Sequence, residues 1–210
     1  MDVEDGPPRG GRLRDEQKTR TRAALLDSAG ELFARHGYGA VRVDDIAAAV
    51  GCSRATFYLH FAGKSDVLRA VAARTTVPSV RSLCEDLDVV LTSGSRADFV
   101  KWATRVIEWF QRHRQLLPAW NEAVAVDPGF REIARAALDA LPDAVPDFLD
   151  RWPEDRRPEA RLRVELLVAQ LERFFTARSD GSGAELSATL TAQVLTDIWY
   201  PALRAPGENG

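Results

Sequence analysis

Cysteine is nearly absent. Cys52 and Cys84 are the only two, too few for a disulfide framework, so a reducing, cytoplasmic setting is expected. No stretch approaches the roughly 18 consecutive apolar residues that a membrane span needs, so no membrane partner is expected. The first residues, MDVEDGPPRGGRLRDEQ, have no apolar core, and no secretory signal is expected there. GxSxG, HExxH, Walker and GxGxxG motifs are missing, and Gly181-Ser182-Gly183 lacks the spacing of a nucleophile turn. The three histidines, His36, His60 and His113, lie 24 and 53 residues apart without a partnering acid or cysteine pattern. No metal, cofactor or enzymatic activity is therefore expected. Sustained period-two alternation is also lacking, which excludes a sheet. Lysine occurs three times against 25 arginines, a bias that reads as GC-rich coding rather than chemistry.

What is present is an ordinary globular composition, 45% hydrophobic and 28% charged, which excludes wholesale disorder. The net charge of −3 is unevenly spread. Residues 1–8 carry three acids and no base. Residues 9–74 carry twelve Lys/Arg against seven Asp/Glu, and residues 75–210 carry sixteen against twenty-one. A basic N-terminal third on an acidic body fits a small domain that meets a polyanion, or equally a solvated basic face with no partner.

Residues 1–14, with Gly6, Pro7, Pro8, Gly10 and Gly11, read as a flexible arm ending in Arg9, Arg12 and Arg14. From Asp15 the spacing of Leu25, Leu26, Ala29, Leu32 and Phe33 predicts a helix that stops after His36 at Gly37. Val43, Ile46, Ala47 and Val50 share one face of a short second helix, with Asp44 and Asp45 in its first turn and Gly51 at its end. Ser53 caps a third helix from Arg54 to about His60, and a longer one starts at Lys64. Pro78 should kink or divide the stretch from Lys64 to Leu91. Residues 92–95 form a loop. Asp127-Pro128 is a helix start, and the four prolines from Pro142 to Pro158 mark broken helix and loop. Two final helices are expected from Ala160 to Arg178 and from Glu185 to Leu203.

Val43 to His60 has the dimensions of a helix-turn-helix. Ala47 is small where two helices approach, Gly51 allows the tight turn, and Phe57 and Phe61 are core. Arg54, Ala55, Thr56, Tyr58, Leu59 and His60 are left for solvent or for a major groove about 12 Å wide. Arg54 can pair bidentately with guanine, and Thr56 suits a base or a phosphate. Tyr58 and His60 have phosphate reach, and Lys64 adds a charge and helix N–H groups. Tyr58 and His60 are otherwise ordinary surface residues of a small helical domain. Cys52 and Cys84 read as small packing residues.

The stretch GYGAVRVDDIAAAVGCSRATFYLHFAGKSDVL, Gly37 to Leu68, resembles the DNA-binding domain of the TetR family of bacterial regulators. The best matching residues are Gly37-Tyr38, Asp45-Ile46-Ala47, Gly51, Ser53, the run Thr56 to Phe61, and Lys64. The motif covers roughly residues 18–75. Beyond it the chain resembles the family only in its helices and length. The resemblance implies an Ω-shaped homodimer on a double-stranded DNA operator, with Arg54, Ala55, Thr56, Tyr58, His60 and Lys64 facing DNA and a larger helical domain for a small effector. Two departures stand out. Members often carry Thr or Ser where this chain has Val41 and Arg42; Arg42 cannot cap a helix through its side chain but reaches a phosphate. Ala55 replaces a common Gly and offers a methyl to thymine. Ser53, as cap, completes the expected DNA-facing set.

Phe99, Trp102, Val106, Trp109 and Phe110 form a stripe at helical spacing, joined by Trp120, Phe130, Phe148 and Phe174. They read as packed core, or as a cavity with polar groups such as Arg105, Asn121, Glu122 and Gln170; the resemblance implies a cavity. The effector set is then Trp102, Arg105, Val106, Trp109, Phe110, Trp120, Asn121, Phe148, Gln170 and Phe174. Each of the last two helices is apolar on two faces: Leu167, Leu171, Phe174 and Phe175 against Leu162, Leu166 and Ala169 in the first, and Ala188, Ala192, Leu195 and Trp199 against Leu186, Leu190 and Val194 in the second. Two such faces fit a four-helix dimer interface, or deep burial within one chain.

The expected architecture is all-α. A flexible arm covers residues 1–14 and a three-helix helix-turn-helix DNA-binding domain residues 15–75. An effector-binding and dimerisation domain covers residues 76–210. The expected function is a repressor released from a palindromic operator by a small, largely apolar or aromatic effector. A TetR-like activator, or a helical ligand-binding module without operator binding, are the alternatives.

Overall fold

The computed structural model describes residues 9–178 and 187–204, and among these residues there are helices and turns but no strand. Helix α1 runs Arg9–Ala40 and is broken at Gly37, whose φ of 77° and ψ of 173° leave the helical region. The helix thus begins before Asp15, at Arg9, and takes in Gly10 and Gly11, the glycines that marked this stretch as an arm. The rest of the expected arm, residues 1–8, lies outside the described residues.

Helices α2 (Val43–Ala49), α3 (Arg54–Tyr58) and α4 (Lys64–Thr75) follow. The break before α5 (Val77–Ser93) falls at Thr76. Pro78 sits in the first turn of α5, where its missing N–H takes nothing from the helix ladder. Gly94, left-handed at φ 65°, ends α5. Ser95 caps α6 (Arg96–His113) by accepting the Asp98 N–H at 3.2 Å. After α7 (Leu117–Val126), Asp127 caps α8 (Pro128–Asp139) through the Phe130 N–H at 3.0 Å. The proline-rich stretch is broken as expected, into two 3₁₀ turns, Leu141–Ala144 and Glu154–Arg156, flanking α9 (Pro146–Asp150). The buried Asp88 accepts the Phe148 and Asp147 N–H groups at 2.7 and 3.1 Å and so holds the start of α9 against α5. Helices α10 (Arg157–Thr176) and α11 (Ala188–Ala202) are the last among the described residues.

Two cores result. One gathers Leu25, Leu26, Ala29 and Phe33 of α1 with Ile46, Phe57, Phe61, Val67 and Leu68. It also takes in Ala119 and Ala123 of α7 and Phe130 of α8, so residues far beyond 75 help build the head. The other core gathers Phe99, Trp102, Val106 and Ile107 of α6 with Phe148, Leu167, Ala192 and Trp199. Helix α11 lies along α6, and α7 lies along α1.

Candidate nucleic-acid interface

The helix-turn-helix is built from local signals. Arg42 precedes α2 and has no side-chain acceptor. Its own N–H instead donates to Asp45 Oδ2 at 2.8 Å, half of a capping box. Gly51, at φ 69°, turns the chain without strain. Ser53 Oγ accepts the Thr56 N–H at 3.1 Å and pairs with Thr56 Oγ1 at 2.9 Å, which fixes the start of α3. Phe57 is fully buried, 5.7 Å from Phe61, and pins the helix to the head.

That anchor decides what faces outward. Arg42, Ser53, Arg54, Ala55 and Tyr58 are exposed, and Thr56 is half-buried. Leu59 is 76% exposed, more than any other large apolar side chain among the described residues. The sequence left it for solvent or for the groove but not among the DNA-facing set, because an apolar side chain in that turn carries no signal of what it would contact. Arg54 pairs with Asp44 Oδ2 at 3.1 Å, donates to Tyr58 Oη at 3.3 Å and leans over the Tyr58 ring. The Tyr58 hydroxyl and Asp44 hold its guanidinium even more firmly charged than usual. An exposed pair of this kind is weak, so a nucleic acid can take the guanidinium from Asp44.

Two expected DNA-facing residues are placed differently. Lys64 Nζ donates to the Tyr38 backbone oxygen at 2.7 Å and lies 4.1 Å from the Tyr38 ring centre. The ammonium is thus turned toward the body, drawn by that carbonyl and by the carboxylates Glu122 and Asp127, while burial lowers its pKa. His60 is half-buried, with Nδ1 enclosed and unpartnered. Burial, then Lys18 and Arg22 of α1, push its pKa below the ordinary 6.5. Lys18 and Arg22 are exposed beside the third helix, a basic contribution that only packing brings there.

The lowered histidine has a consequence for stability. Below pH 6.5 the unfolded chain binds the His60 proton before the folded one does. Stability present above that pH is therefore lost as pH falls toward the folded value. Thermal unfolding followed from about pH 7.5 to about pH 5 should show a smaller loss for His60→Gln than for the unaltered protein. An equal loss would remove the assignment.

The chain matches the family model of bacterial regulatory proteins, tetR family, over residues 25–71. It is 41% identical over 166 residues to the HTH-type transcriptional activator FasR of Mycolicibacterium smegmatis, covering 78% of this chain and 73% of that one. The chain belongs to the TetR family. It is a transcriptional regulator with a DNA-binding helix-turn-helix. The HTH-type transcriptional repressor AcnR of Corynebacterium glutamicum is 22% identical over 183 residues, 87% of this chain and 90% of that one. Among solved structures, a putative TetR-family transcriptional regulator from Mesorhizobium loti superposes with a TM-score of 0.63 at 17% identity, covering 89% and 96% of the two chains.

The ten residues expected to line an effector site do not all converge. Trp102, Val106 and Phe148 are buried in the body core, and Trp102 Nε1 donates to the Leu83 oxygen at 2.8 Å. Trp109 is buried, its Nε1 donating to Ser79 Oγ at 2.8 Å. Trp120 packs into the head, 4.5 Å from the Phe130 ring. Arg105 is on the surface, paired with Asp86 at 2.5 Å, and Gln170 is exposed. Phe110, Phe174 and Asn121 are half-buried at one end of the body. There Phe110 stacks on Phe175 at 4.4 Å, and Asn121 Nδ2 donates to Thr176 Oγ1 at 3.1 Å. The indole N–H groups of Trp152 and Trp199 are buried without an acceptor among the described residues. Cys84 is pushed up to about 11 by burial and stays protonated at neutral pH.

Of the expected dimerisation residues, Leu162, Leu166 and Leu190 are 52%, 55% and 56% exposed in the single chain, and Val194 is 48% exposed. Ala169 is also exposed, and Ile198 extends the α11 stripe. Leu186 lies outside the described residues. The opposite faces, Leu167 and Leu171 on α10 and Ala192 and Trp199 on α11, are buried. No helix of the described residues is long and apolar enough to cross a membrane. Among them no cluster of His, Cys, Asp or Glu could hold a metal.

Proposed function

We propose that this protein acts in the cytoplasm as a homodimeric repressor on a palindromic operator, released by a small, largely apolar or aromatic effector. The carrying observation is the third helix. Phe57 is buried beneath it, while Arg54, Ala55, Tyr58 and Leu59 stand exposed on the most basic part of the chain. Arg54 reads a guanine, Ala55 and Leu59 meet thymine methyls, and Arg42, Ser53, Thr56 and Tyr58 meet phosphates.

The exposed apolar stripes of α10 and α11 support the homodimer. A soluble monomer has no use for two such stripes, and a second copy covers both symmetrically. Two recognition helices then lie about 34 Å apart, one turn of DNA. The half-buried Phe110, Phe174 and Asn121 support an effector site at that end of the body. A second reading, activation, is favoured by the 41% identity to an activator.

Selection of binding duplexes from a random library tests operator recognition. A palindrome should be enriched, and failure to enrich any sequence would end the reading. Arg54→Ala should relax the preference at one base pair per half-site by about 1–3 kcal/mol. Unchanged preference would reassign the guanine contact. Transcription from the selected operator, with and without the protein, separates repression from activation.

A further inference from the structure

We propose that Glu122 of α7 is a positioning residue that locks the DNA-binding head onto the rest of the molecule by gripping the backbone of Tyr38. This rests on the operator-binding reading and adds the device that sets the head's orientation.

Tyr38 follows the break at Gly37, which releases its N–H and C=O from the helix ladder. Its N–H donates to Glu122 Oε2 at 2.7 Å, from α7. Its C=O accepts from Lys64 Nζ at 2.7 Å, from α4. Its hydroxyl donates to Asp127 Oδ2 at 3.3 Å, from the cap of α8. Tyr38 is itself buried against Phe33, 5.8 Å between rings. Burial and then Asp127 push its hydroxyl up to about 12, so it remains a donor. Three elements thus meet on one residue, each through a charged group, and charge-assisted bonds are roughly twice as strong as neutral ones.

The glycines on either side make room for the grip. A Cβ at Gly39 would lie 2.3 Å from Glu122 Oε1, and one at Gly37 would lie 2.8 Å from Oε2. Gly37 also needs its positive φ, but Gly39 does not, so at Gly39 the demand comes from the carboxylate alone. The neighbouring residues of α7 face elsewhere. Asn121 bonds Thr176 at the end of α10, and Ala119 and Ala123 are fully buried in the head core. One helix therefore touches the half-buried aromatic end of the body with one residue and grips the head with the next. A shift of α7 at Asn121 moves the carboxylate that fixes Tyr38, and with it the core that Phe57 of α3 shares with α1 and α4.

Gly39→Ala and Glu122→Ala test this, with Glu122→Gln as the conservative variant whose side-chain oxygen still accepts the Tyr38 N–H. None alters an exposed residue of α3. Hydrogen exchange of the Tyr38 amide should accelerate about tenfold or more in Gly39→Ala and Glu122→Ala, and much less in Glu122→Gln. On the palindrome selected by the unaltered protein, the two loosened variants should lose most of the discrimination against a lengthened spacer, because their heads are no longer held at one separation. Glu122→Gln should retain it. Unaltered exchange in both loosened variants would show that there is no grip. Altered exchange with unaltered spacer discrimination would show a grip without a positioning role. If the unaltered protein enriches no duplex, the operator reading and the role fail together, whereas either earlier failure leaves that reading standing.

Discussion

Phe57→Ala is expected to remove about 3–5 kcal/mol of stability and to abolish operator binding. The ring is fully buried, with Tyr58 and Phe61 rings within 6 Å of it, and α3 is only five residues long. So short a helix has little stability of its own, because nucleation costs more than one turn of hydrogen bonds returns. Removing the ring leaves a cavity and takes away the anchor that holds Arg54, Tyr58 and Leu59 outward. The total stability of a domain is only about 5–15 kcal/mol, so the head should melt before the body does. Circular dichroism against temperature and a mobility shift on the selected operator check this. A variant with unchanged melting and unchanged affinity would mean that α3 is held by something else.

Leu166→Glu is the second large effect, and it separates the chain from the assembly. Leu166 is 55% exposed, so in the single chain a carboxylate there meets water and should change stability by no more than about 0.5 kcal/mol. In the proposed dimer the same position is desolvated and occurs twice across the symmetry axis. Burying an unpaired charge in that way costs about 3–5 kcal/mol for each copy, so the dimer dissociation constant should rise by at least about two to three orders of magnitude. Sedimentation should give a monomer with intact helicity, and affinity for the palindrome should fall to that of a single half-site. A dimer that persists unchanged would place the interface elsewhere and would leave the α10 and α11 stripes without an occupant.

Much of the head was legible in the chain because its signals are local. Ser53 three residues before Thr56, Gly51 after a short apolar face, and Phe57 followed by Phe61 are relations within one or two turns, where helical geometry alone says who meets whom. The same is true of Asp127-Pro128, which starts α8 as expected, and of the buried and exposed sides of α10. Lys64 shows where that logic stops. Its place at the start of α4 suited a phosphate, but Tyr38, 26 residues away, offers a carbonyl that turns the ammonium inward. Trp120 looked like part of an aromatic stripe, yet α7 folds back along α1 and carries it into the head.

By itself, then, the chain determined the helices, the turn and the residues that a third helix must hide or display. These follow from periods of three and four and from caps that reach no further than three residues. Only the tertiary structure decided that Glu122 lies 2.7 Å from an amide 84 positions earlier, that Arg54 rests against Asp44, and that the aromatics divide between two cores. Such pairs depend on which helix faces come together. That is a balance of burial summed over the whole molecule, and no short run of residues encodes it.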